Sequence, residues 1–509
     1  GSEPLIGLAG AGASSGMAMA HWEIQGWMIL ILGWVFVPFY TRSMVYTMPE
    51  FLERRYNPQS RTILSVISLV SYVLTKVAVT VYAGGLVFQQ VFGIKELWGI
   101  DFFWIAAIGL VVLTALYTIF GGMKSVLYTS VLQTPILLLG SLIILVLGFK
   151  ELGGWDEMMR VCGAVTVNDY GDTMTNLIRS NDDANFPWLG ALIGSAIIGF
   201  WYWCTDQFIV QRVLSGKNEM EARRGTIFGA YLKLLPVFLF LIPGMIAFAL
   251  HQKYIGAGGE GFLPMLANGT ANADAAFPTL VAKLLPAGVK GLVVCGILAA
   301  LMSSLASLFN SSAMLFTIDF YKRFKPETPE KKLVGIGQIA TIVIVVLGIL
   351  WIPIMRSVGD VLYTYLQDVQ SVLAPGIAAA FLLGICWKRT SAQGGMWGLI
   401  SGMVIGLTRL GAKVYYSNAG EVADSTFKYL FYDMNWLFFC GWMFLFCIIV
   451  VIVVSLATEA PTAEKIQGLV FGTATKKQKA ATRASWNHWD IIHTVIILAI
   501  TAAFYWYFW

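Results

Sequence analysis

Ala300, Ser303 and Ser304 stand at helical spacing inside the run ALMSSLASLFNSS. On a helix they share one face with Ser307 and Ser311, so the hydroxyls form a single row. In an apolar setting such a row either lets two helices pack closely or offers neutral oxygens to a hard monovalent cation. Two serine hydroxyls and the Ala300 carbonyl would supply three such oxygens. A helix normally uses its own carbonyls, so the remaining ligands must come from a bent or broken helix. The expected source is the break just before the apolar piece 5–20.

Other polar groups lie in equally apolar surroundings, where ionisable side chains are costly and by default mark a site. They are Glu3, Glu23, Lys76, Asp206, Lys233 and Arg409. Glu23 reads either as a solvated rim carboxylate or as a site residue. For Lys76 and Arg409 structural pairing or snorkelling is expected, and Lys233 is either half of an ion pair or a substrate contact. Tyr202 and Trp203, in GFWYWCTDQFIVQR, stand well inside the basic edge at Arg212, Trp203 by about 13 Å of helix. That depth suits flat aromatic faces meeting a sugar ring or forming a gate better than an interfacial belt. Gln367, in YTYLQDVQSVLAPG, adds an amide, and Pro375 and Gly376 after it are expected to weaken their helix. An acceptor (Glu23), a donor (Lys233) and a group that is both (Gln367) match the hydroxyls of a carbohydrate.

The elements that hold these residues must span a bilayer. Of 509 residues 57% are hydrophobic and 12% charged, against about 25% charged in a soluble domain, and the mean hydropathy is +0.71. A multi-pass protein of the cell (inner or plasma) membrane is therefore expected. With about 20 apolar residues per span, twelve spans are predicted: 26–41, 62–93, 98–119, 125–149, 188–211, 225–250, 288–318, 334–356, 360–386, 393–414, 435–457 and 488–508. The piece 5–20 is about half a span. The loops 42–61, 212–224, 319–332 and 458–487 carry most of the Lys and Arg and fall on one side, which the positive-inside rule makes cytoplasmic. The loops 151–187 and 252–287 are rich in Asp, Asn and Gly and face outward.

Six cysteines without CxxC or His/Cys spacing predict neither disulfides nor zinc. There is no phosphate-binding loop, so ATP-driven transport by this chain is not expected. Nor is it expected to be an enzyme.

Longer motifs carry a resemblance. YTIFGGMKSV (117–126) and GICWKRTSAQGGMWG (384–398) are similar to the two signatures of the sodium/solute symporter family, with Gly395 where Ala is usual. WYWCTDQFIVQRVLSGKN, YLKLLP and LMSSLASLFNSSAMLFTIDFYK resemble its sodium/glucose cotransporter branch, and the likeness runs essentially end to end. It implies an all-α, leucine-transporter-type fold of two inverted five-helix repeats with discontinuous first and sixth helices. The first repeat would cover 1–149, its first helix cut at the break, with an extracellular loop over 150–187. The second repeat would cover 188–386, and three additional helices 387–509, with a basic cytoplasmic loop at 458–487. It also implies that residues precede Gly1.

The resemblance assigns sodium to Ala300, Ser303, Ser304 and the first-helix break, where Glu3 falls. It assigns sugar contacts to Glu23, Lys233 and Gln367, with Tyr202 as a stacking inner gate and Trp203 beside it. This sequence departs from the pattern at Pro4 and Gly199, where polar side chains are usual, and at Ser130 and Ala306, where relatives with a second sodium site carry an Asp and a hydroxyl. One sodium per sugar is therefore expected. The implied activity is alternating-access symport of a glucose- or galactose-like monosaccharide by a monomer or weak dimer in the bilayer, without nucleic acid. Myo-inositol, sialic acid or proline are alternative substrates, and a non-transporting sensor or channel is the alternative class. Proton coupling is less attractive, because His21, His251, His488 and His493 all lie near span ends.

Overall fold

The computed structural model describes residues 4–43, 45, 47–266, 269–358, 361–419 and 423–509; of 4, 117, 119–130, 132, 133 and 356–358 only the backbone is described. Glu3 and the side chains of Pro4 and Ser130 thus lie outside the described residues. Among the described residues the fold is helical apart from one hairpin of two-residue strands, Glu96–Leu97 with Ile100–Asp101, and isolated bridges in the loops. Among the described residues, ten helical stretches are long and apolar enough to cross a membrane.

Several of the twelve expected spans differ. The segments 98–119 and 125–149 form one helix, Phe102–Leu152, hydrogen-bonded without interruption where a joint is predicted. Its halves still have separate neighbours: Leu110 meets Gly84, whereas Ile136 meets Gly296. The segment 393–414 is a long helix, Ala392–Asn418, but its glycines, Arg409 and Lys413 keep it out of the apolar set. Its glycines serve contact instead. A Cβ at Gly376 would come within 2.9 Å of the Gly402 Cα. The helix Leu362–Cys386 accordingly runs unbroken through Pro375 and Gly376, contrary to the expected weakening: the glycine is used for approach to a neighbour rather than for a bend.

The first apolar piece is buried on every side, with Leu5, Ile6, Leu8, Ala9 and Ala11 at 0% exposure. Its small residues allow this. A side chain at Gly12 would overlap the Leu241 carbonyl, and one at Gly244 would overlap that of Ala9. The helix Ala9–Ser15 stops at Gly16, whose φ of 65° is open to glycine, and Met17 N–H then donates to Met174 O at 2.8 Å. The outer loop is thereby tied to the turn that precedes Glu23.

The second signature has a structural use. Arg55 is buried and donates to the carbonyls of Gly384 (2.7 Å), Thr390 (3.1 Å) and Trp387 (3.2 Å). A guanidinium thus satisfies carbonyls left over at a helix C-terminus. Gly395, the departure from the signature, leaves room for Tyr56: a Cβ there would lie 2.5 Å from its ring.

Arg409 fulfils its structural expectation. It donates to the carbonyls of Leu430 (3.2 Å) and Met434 (2.6 Å) and lies 4.1 Å from the Phe439 ring centre.

Candidate functional site

A cavity of about 460 Å³ gathers Glu23, Tyr202, Trp203, Lys233, Gln367, Ala300, Ser303 and Ser304, whereas Lys76, Asp206 and Arg409 are not part of its lining. Its lining also runs to Arg212, Val213 and Gly225, beside the basic loop 212–224. At the outer side the lining residue Trp22 is stacked on Trp436 at 5.4 Å and packed edge-on against Phe186.

Glu23 is not a rim carboxylate. It is 1% exposed, and its Oε2 lies 2.6 Å from Lys233 Nζ, while Tyr363 OH donates to its Oε1. Lys233 therefore is half of an ion pair and also a cavity residue, its ammonium 5.3 Å from the Trp203 ring centre. It sits near the end of the helix Glu219–Pro236, just before a wide π-helical turn, Val237–Leu241. Such turns release backbone carbonyls and re-aim side chains.

Tyr202 and Trp203 occupy a second π-helical turn, Phe200–Thr205. The expected span 188–211 is in fact two helices, because Asp206 leaves the helical conformation (φ −78°, ψ 128°) and caps Gln207–Leu214. Its carboxylate accepts the Phe208 N–H at 3.2 Å and the Tyr72 hydroxyl at 2.9 Å. It also pairs with Lys76, which comes from a third π-helical turn, Tyr72–Val77. The Lys76 ammonium stands 4.2 Å from the Phe208 ring centre and 5.0 Å from that of Tyr202. Lys76 thus pairs structurally, as expected, and Tyr202 and Trp203 each have a charge-paired lysine beside the ring.

Gln367 follows Tyr363 by one turn on the helix Leu362–Cys386. Its side-chain carbonyl is buried and has no partner among the described residues. The start of this helix is held from outside by Asp274, whose two oxygens accept the Leu362 N–H at 3.2 and 3.1 Å. Burial pushes the Asp274 carboxyl up to about 7, against the lowering effect of that hydrogen bond.

The serine row divides. Ala300, Ser303 and Ser304 face the cavity. Ser307 and Ser311 do not: Arg212 donates to the Ser307 hydroxyl and Gln211 to that of Ser311, and both serines bond back to the carbonyl four residues earlier. Their contacts fasten the helix Ala287–Met314 to Gln207–Leu214.

Among the lining residues that escaped the sequence reading are Tyr363, Gln25 and Trp22. Tyr363 was legible as the i−4 neighbour of Gln367, and Gln25 as a lone amide two residues beyond Glu23.

Residues 1–402 match the sodium:solute symporter family. The chain is 36% identical over 486 residues to the human sodium/myo-inositol cotransporter 2, covering 93% of this chain and 71% of that protein. It is 37% identical over 477 residues to the sodium/glucose cotransporter 1 of Ovis aries, covering 90% and 71%. Among solved structures, the substrate-bound outward-open state of a Na⁺-coupled sialic acid symporter superposes with a TM-score of 0.67 at 20% identity, over 91% of this chain and 88% of that one. That likeness shows a shared leucine-transporter-type fold. The chain is a multi-pass membrane protein that belongs to the sodium:solute symporter family.

Proposed function

We propose that this chain is a sodium-coupled secondary active symporter of a neutral polyhydroxylated ring, a glucose- or galactose-like monosaccharide, working by alternating access. The observation that carries this reading is the single cavity holding Glu23, Lys233 and Gln367, the aromatic faces of Tyr202 and Trp203, and the oxygens of Ala300, Ser303 and Ser304. The Lys233 ammonium is already matched by Glu23, which favours a neutral substrate over sialic acid or another anion. A cyclitol is the second reading, supported by the relative named for myo-inositol.

In this mechanism sodium is cargo. Ala300 carbonyl and the Ser303 and Ser304 hydroxyls hold it together with the start of the first helix, and so join two elements on either side of the substrate cavity. An ion biases a two-state equilibrium only through its different affinity for the two states. Sodium binding stabilises the arrangement that receives sugar, and with both sites filled the repeats rock about the cavity. Tyr202 then yields towards the cytoplasm. No covalent chemistry is involved. The altered residues Ser130 and Ala306 support one sodium per sugar.

Uptake of a labelled monosaccharide and cyclitol panel into proteoliposomes tests this reading, under imposed sodium, lithium or proton gradients. Saturable accumulation driven by sodium is expected. Flux that never saturates with sugar, or accumulation indifferent to sodium, would overturn it.

A further inference from the structure

Gly199 leaves the sixth helix without a side chain where it borders the cavity, yet the space is not empty. Gln25 fills it from the neighbouring helix. The residue is 2% exposed, lines the same cavity as Gly199, and donates from Nε2 to the Ser195 carbonyl at 2.8 Å. A carbonyl accepts and cannot donate, so this bond settles which end of the amide is which. The Gln25 oxygen is therefore turned away from Ser195 and towards Gly199, on the cavity wall. Its fit against the bare backbone is exclusive: a Cβ at position 199 would overlap Gln25 Oε1 and lie 3.1 Å from its Cδ and 3.3 Å from Met28 Cγ. The two residues are a coupled choice, a glycine on one helix making room for an amide from the other.

We propose that Gln25 is a substrate-contacting residue that accepts a ring hydroxyl at a subsite beside Gly199. The proposal rests on the symport reading above and deepens it to the substrate class. An amide oxygen on a cavity wall gains a hydrogen bond from a hydroxyl that enters the cavity. Gln367 presents a second amide carbonyl on the same cavity. Two amide acceptors on one cavity, that of Gln367 without a partner among the described residues, select a substrate that carries at least two hydroxyl groups on one rigid ring. They reject one that has lost either hydroxyl, because the abandoned acceptor stays unpaired.

The test uses the full chain in proteoliposomes with Gln25→Met, which keeps the bulk and removes the acceptor. The substrate is the best sugar or cyclitol of the panel, together with its singly deoxygenated analogues. The expected result is a roughly five- to tenfold rise in KM with the maximal rate little changed. In addition, discrimination against one particular deoxy analogue should be present in the unmodified chain and lost in Gln25→Met. The double variant Gln25→Ala/Gly199→Asn returns an amide to the same space from the other helix, and it should recover both affinity and that discrimination. It also serves if Gln25→Met does not fold. An unchanged KM with an unchanged ranking of all deoxy analogues in Gln25→Met, or a double variant that recovers neither affinity nor discrimination, would overturn the subsite and leave symport standing. An unmodified chain that accumulates no polyol under a sodium gradient would overturn the symport reading itself.

Discussion

Glu23 and Lys233, 210 residues apart in sequence, meet with Oε2 and Nζ 2.6 Å apart on the wall of the cavity, with Tyr363 completing the carboxylate's contacts. Each neutralises the other, which allows two full charges to sit beside a substrate without repelling a neutral one.

Removing one charge should therefore do more harm than losing a single hydrogen bond. Glu23→Gln leaves the Lys233 ammonium without its counter-ion, a change that typically costs about 2–5 kcal/mol, or roughly thirtyfold and upwards in affinity. Sugar KM should rise by at least that much, while the sodium concentration for half-maximal binding moves little. A KM within about threefold of the unmodified chain would show that the pair is a strut and not a substrate contact.

Ser304→Ala takes a hydroxyl from the proposed sodium site without touching the sugar contacts. The expected outcome is loss of sodium-driven accumulation, with sugar exchange across the membrane at equal concentrations retained. In the unmodified chain the sodium dependence should have a Hill coefficient of about one. A value near two, lost in Ser307→Ala, would require a second sodium.

Lys76 and Asp206 form a pair fully inside the protein, at the break of the sixth helix. Lys76→Met should cost about 3–5 kcal/mol, because an uncompensated carboxylate stays buried, whereas Lys76→Met/Asp206→Asn should cost less than the sum of the two single changes. Thermal unfolding of the purified protein in detergent measures this. Strictly additive losses would show that the two groups do not depend on each other.

Asp274 gives a pH dependence with a definite sign. Its carboxyl is raised from 3.8 to about 7 by burial, so between those values the folded protein holds a proton that the unfolded chain has released. Folding stability from this group is thus greatest below pH 4 and declines as pH rises towards 7. Asp274→Asn keeps an acceptor for the Leu362 N–H and removes the titration. It should flatten the melting temperature between pH 5 and 8 and raise it most at pH 8. A parallel profile for variant and unmodified chain would place the slope elsewhere.

Much of this was legible in residue types. Apolar length, the basic loops and the helical spacing of Ala300, Ser303 and Ser304 depend on local chemistry: hydrocarbon demands satisfied backbones, and a helix shows its face in its spacing. The long motif matches likewise led to Glu23, Tyr202, Trp203, Lys233 and Gln367, which the cavity brings together. Local reasoning overshot at Pro375 and Gly376, where contact with Gly402 keeps the helix whole, while the break at Asp206 within 188–211 is the discontinuity expected of the sixth helix.

Pairing was another matter. Whether Lys233 stood alone or with Glu23, whether Lys76 met Asp206, and which serines faced a neighbour or the cavity are questions about groups far apart in the chain. Nothing in the spacing along one helix states which face of another lies opposite. Gly199 alone reads as a polar group lost. Only packing brings Gln25 into its place, because a missing side chain on one helix is filled by whatever the adjoining helix can reach with.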